Sequence, residues 1–132
     1  MLHLSKVAVG CGDLATLAAR IAVRTQGGEV AITTRYRPTR HTELVGGSLF
    51  WIVAHQLVAR QAIIGFDRAG DGRTLIRLSS TLVPVTPRSR RAHQGWRYLA
   101  AADAPPDLAA DLSGLSALPP KLIGELAALA LV

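Results

Sequence analysis

The residues best equipped for chemistry lie in one late segment. Arg88-Ser-Arg-Arg-Ala-His-Gln-Gly-Trp-Arg-Tyr-Leu99 gathers four arginines, a histidine, a tryptophan and a tyrosine within twelve positions. Guanidinium forks clamp phosphates, and aromatic faces stack on bases. Two basic sets stand upstream: Arg35, Arg37 and Arg40 at the end of one strand-like segment, and Arg60-Gln61 at the start of another. If they meet, then Arg35, Arg37, Arg60, Gln61, Arg88, Arg91, Trp96, Arg97 and Tyr98 form a cationic groove with stacking platforms, suited to RNA or a nucleotide. The plainer alternative is equally open. Trp96 and Tyr98 alternate along an extended segment and could both be core, with the arginines solvated or paired.

Other candidate chemistry is weaker. Gly10-Cys-Gly12-Asp-Leu-Ala15 has the G-x-G-x-x-A form of a dinucleotide fingerprint between an expected strand and helix. Asp13 would set a negative charge beside the phosphates, however, and the acidic ribose ligand expected about 20 residues on is missing. The segment reads better as a strand-to-helix turn with Asp13 as N-cap. Cys11 reads as a small buried residue. His3, His41, His55 and His93 show no metal-ligand spacing, and no carboxylates are placed as an acid/base pair. Neither a cofactor nor a metal is expected, and no catalytic residue is legible.

Composition bounds the rest. The chain has 132 residues, 49% of them hydrophobic and 18% charged, as in a single globular domain with a real core. Its net charge of +6 comes mostly from arginine, which favours bidentate contacts to phosphate or carboxylate. One cysteine excludes an internal disulfide. The opening Met-Leu-His-Leu-Ser-Lys is unlike a signal peptide, and the apolar runs are too short to cross a bilayer. A cytoplasmic protein without membrane contact is expected.

The elements that must position these residues follow from periodicity. Leu2 to Val9 reads as a first strand. Leu14, Leu17, Ala18 and Ile21 form one face of a helix closed by Gly27-Gly28. Glu29 to Arg37 alternates as a strand that Pro38 stops, and Thr39 to Val45 fits a helical turn. Leu49 to Val53 is apolar on both faces and should be a central strand, with Ile64 and Ile76 packed nearby. Asp71-Gly72 marks a hairpin between Ala59 to Asp67 and Arg73 to Leu78. Thr81 to Val85 extends toward Pro87. Residues 100–118 read as a loop or arm, and 119–132 as a C-terminal helix docked through Leu122, Leu126 and Leu129.

Gly46-Gly-Ser-Leu-Phe-Trp51, Arg60-Gln61 and the block from Pro87 to Leu99 resemble a bacterial family of single-domain proteins of unknown function. Met1-Leu-His-Leu4 and Leu118-Pro-Pro120 share that likeness. More loosely, the layout resembles the PUA-like superfamily, which includes ASCH and EVE domains. That resemblance implies a small β-barrel with flanking helices that binds RNA or modified bases. The expected fold is therefore α+β: a small, mixed or mostly antiparallel barrel with flanking helices, spanning 1–132 as one domain. The expected function is binding RNA or a nucleotide-like ligand through the Arg/aromatic face. The alternatives are a small-molecule enzyme with a pocket near Trp51, Arg60 and Trp96, or a protein-interaction module.

Overall fold

The structure, a computed structural model, describes residues 2–108. The expected C-terminal helix and most of the 100–118 arm lie outside the described residues. Strand β1 (Leu2–Val7) leads through Gly10 to α1 (Leu14–Arg24). Asp13 caps this helix as its pattern requires, its carboxylate accepting from the Thr16 amide at 2.7 Å. Leu14, Leu17 and Ile21 are buried, but Ala18 is exposed. Gly27-Gly28 does not close the helix, which ends at the C-cap Thr25. Both glycines have positive φ, and Gln26 and Glu29 exchange backbone hydrogen bonds around them. That is a type I′ turn leading into β2 (Glu29–Thr34).

A one-turn helix, α2 (His41–Leu44), follows Pro38, and then β3 (Ser48–Val53), every residue of which is buried. Strand β4 (Gln56–Arg68) and β5 (Thr74–Ser79) form the hairpin expected around Asp71-Gly72. Strands β6 (Val83–Ser89) and β7 (Trp96–Ala100) complete a seven-stranded sheet, followed by a short 3₁₀ turn at Ala101–Asp103. The strand order is β2-β5-β4-β3-β1-β7, with β6 paired to the first part of β4. Only β1 and β3 run parallel among the described pairs.

The α+β, mostly antiparallel character holds, but the barrel does not close. Among the described residues, no ladder joins the end strands β2 and β7. The sheet curls until these ends face one another. A side chain spans the gap instead: the Trp96 indole N–H donates to the Tyr36 carbonyl at 3.3 Å. Register shifts in β4 opposite β3, β5 and β6 provide the bend.

Alternation gives the sheet two apolar faces. Leu49, Trp51 and Val53 point to the concave face, where Leu4, Val30, Ile32, Ile63, Ile76 and Leu78 meet the buried stripe of α1. Phe50 and Ile52 point the other way, onto Leu57, Val85 and Leu99. Ile76 is in the core as expected, but Ile64 is 39% exposed and Ile63 takes the buried place. The cause is the register shift between Ile63 and Gly65, which reverses the alternation read from sequence.

A candidate anion-binding cleft

Two tryptophans and a lysine define the site. In the sheet register, Lys6 on β1 pairs with Trp51 on β3 and with Trp96 on β7. Directly opposed residues project to the same face, so Lys6 stands between two indoles on the concave side. Trp51 forms the floor, and its N–H is satisfied by Gln61 at 2.8 Å. Trp96 is half-buried and meets Tyr98 edge-on, with ring centroids 5.1 Å apart.

The open seam of the curled sheet makes the cleft. One part, about 450 Å³, lies between the end of β1, helix α1 and β2, with Lys6, Arg20, Arg24 and Trp51 in its lining. A second part, about 400 Å³, continues toward β7 and is lined by Lys6, Arg35, Tyr36 and Trp96. No Asp or Glu lines either part among the described residues. Burial lowers the Lys6 pKa from its ordinary value, because the charged ammonium loses water without gaining a carboxylate. Arg20 reaches over Gly10 to donate to the Val9 carbonyl, which fixes its guanidinium beside β1.

The expected groove divides into different roles. Arg35 lines the cleft, and Arg37 is exposed just past it. Trp96 and Tyr98 share the concave face, where Tyr98 accepts a hydrogen bond from the Arg40 amide at 3.1 Å. Arg97 falls between them in sequence and therefore projects from the opposite face, paired in register with Ser5. Arg91 is exposed on that reverse side beside Arg97. Arg88 is exposed and donates to the Asp103 carbonyl at 3.2 Å.

Arg60 and Gln61 have structural work. Arg60 pairs with Phe50 in register, on the face away from Trp51. It holds both Asp107 oxygens at 2.7 Å and also donates to the Ser48 hydroxyl at 3.0 Å. Mutual hydrogen bonding raises the Arg60 pKa and lowers that of Asp107. Arg60 thus does not join Trp51 and Trp96 in one pocket. Gln61 is 0% exposed, bonded to Trp51 and to the Ser79 carbonyl. It offers no surface to a ligand.

Ser5 and His93 also approach closely, Oγ to Nε2 at 3.0 Å. Ser5 is wholly buried, so a substrate could not reach its hydroxyl. The contact fastens the 90–95 loop to β1. Among the described residues, no three His, Cys, Asp or Glu side chains gather where they could share a metal ion. None of the described helices is long and apolar enough to cross a membrane.

Lys6, Arg20 and Arg24 were not singled out as ligands by sequence reasoning. The available signal for Lys6 was a cation on the apolar period of β1, where Leu2 and Leu4 precede it. Arg20 and Arg24, four apart on α1, are the corresponding signal on the helix.

Fold and cleft together define an α+β domain dominated by one curled, mixed sheet, with a cationic seam between the sheet's ends. The chain belongs to a family described as protein of unknown function (DUF1489), whose pattern matches residues 4–132. No curated protein and no solved structure matches the chain.

Proposed function

We propose that this domain binds a nucleotide or RNA in the seam between β1, β2 and β7. The observation that carries the reading is Lys6: half-buried between two tryptophans, with no acidic neighbour in the cleft lining among the described residues. A buried cation without an anion is costly, and a bound phosphate supplies the missing partner. Trp96 offers an indole on which a base can stack, while Arg20, Arg24 and Arg35 surround the position of its phosphate. A PUA-like relationship and a bacterial cytoplasmic setting fit this reading and belong to the proposal.

Titration with nucleoside monophosphates, followed through tryptophan fluorescence, tests it. Lys6→Met keeps the apolar stem and removes the charge. It should weaken binding about 10- to 100-fold, the worth of a hydrogen bond to a charged group. Its fold should be kept, since an uncompensated charge has left a half-buried site. Equal affinity in Lys6→Met and the parent would refute the reading.

A further inference from the structure

We propose that the ligand is a single-stranded nucleic acid that leaves the cleft around the 90–95 loop and lays its phosphates on arginines of the opposite face. This inference rests on the cleft reading above. The first support is continuity. The Trp96 part of the cleft meets a depression of about 440 Å³ through Lys6, Gln94 and Gly95. That depression meets a third, about 410 Å³, through Ala92 and His93. The third contains Arg90, Arg91 and Arg97. Among the described residues no Asp or Glu lines any of this path.

The second support is the division of labour across β7. Trp96 and Arg97 are neighbours in sequence but project from opposite faces of one strand. A single nucleotide stacked on Trp96 cannot reach Arg97, whereas a strand passing the edge of the sheet can. Beyond β7 no described strand obstructs that route.

The third support is preorganisation. His93 is held to Ser5, and the Arg90 amide donates to the His55 carbonyl at 2.9 Å. The Arg90 side chain leans toward the Tyr98 carbonyl at 3.4 Å. Gly95, with φ +64, turns the chain into β7. The loop is therefore tied at several points, while Arg91 and Arg97 remain exposed. Arginines on the backbone with an indole under a base make a sequence-tolerant grip on a single strand.

Fluorescence anisotropy with labelled uridylate probes of increasing length tests the route, with the mononucleotide as reference. Affinity should climb with length and level off within about 4–16 nucleotides. The log–log salt slope should steepen by about 0.7 for each added phosphate contact. The double variant Arg91→Gln/Arg97→Gln should bind the mononucleotide like the parent. It should lose about tenfold or more in affinity for the longer probe, with a slope flatter by about 1.4. The inference is overturned if the mononucleotide binds but length adds nothing, or if the double variant weakens short and long probes equally. If no probe binds, the cleft reading itself has failed and the route falls with it. A gain with length in the parent, lost selectively in the double variant, establishes the route.

Discussion

Replacing Gln61 by Met tests whether this residue holds the floor of the cleft. Gln61 is 0% exposed and makes two bonds of 2.8 Å, accepting from the Trp51 indole and donating to the Ser79 carbonyl. Methionine fills a similar volume but leaves that N–H and that C=O without partners. Each orphaned group costs about 1–3 kcal/mol, so Gln61→Met should lose about 2–6 kcal/mol. That is a large share of the roughly 5–15 kcal/mol stabilising a domain. Trp51→Phe alone should also destabilise, by orphaning the Gln61 oxygen and shrinking a packed ring. The double variant removes both partners of one bond at once. It should be more stable than the sum of the single losses by about 0.5–3 kcal/mol. Urea unfolding followed by circular dichroism gives these differences, provided the slope stays constant. A harmless Gln61→Met, or strictly additive losses, would show that this bond does not organise the core.

Two further perturbations probe the same scaffold. A Cβ at Gly47 would collide with the Leu2 carbonyl; Gly47→Ala should push β1 off β3 and cost about 1–3 kcal/mol or more, and an unchanged urea midpoint would count against that close approach. Acid should also weaken the fold above the carboxylate range. His3 must be neutral at Nδ1 to accept from the Ser48 amide at 2.9 Å, and burial, the nearby N-terminus and Arg60 all lower its pKa. The unfolded chain then takes up the proton first, so stability is complete above about pH 6.5 and declines as pH falls toward the depressed folded value. His93, lowered chiefly by burial, acts in the same direction. Urea midpoints measured between about pH 7.5 and 5 should fall, and a flat profile would contradict the assigned His3 bond.

Local patterns carried much of this fold. The two-sided run in β3, the Asp13 cap and the Asp71-Gly72 hairpin each follow from a few neighbouring residues, and each is present. Features set by distant pairing were harder to read. The register shift that exposes Ile64 depends on how β4 meets β5, and closure of the barrel depends on a β2–β7 ladder that is not present among the described residues. Gly27-Gly28 was ambiguous because the same pair serves a helix end or a type I′ turn. For the site, the expected groove put Arg97 beside Trp96 and Tyr98, whereas alternation along β7 sends Arg97 to the opposite face. What sequence could not supply was the register that sets Lys6 between Trp51 and Trp96, because those strands are far apart along the chain.

The pairing of β1 has a consequence for biosynthesis. This strand is made first, yet its partners are β3 and β7, which end at Val53 and Ala100. A nascent chain therefore carries β1 with both edges open until β3 is made, then with one edge open until β7 is made. Contacts of such sequence separation form slowly, because loop closure precedes any reward from pairing. The seam around Lys6 cannot exist until Trp96 has left the ribosome and docked. A partly made chain can pair β4 with β5, which are adjacent in sequence, but it cannot hold a ligand in the seam. Occupancy of the seam would thus report completion of the sheet, and any ligand there would stabilise the docked β7.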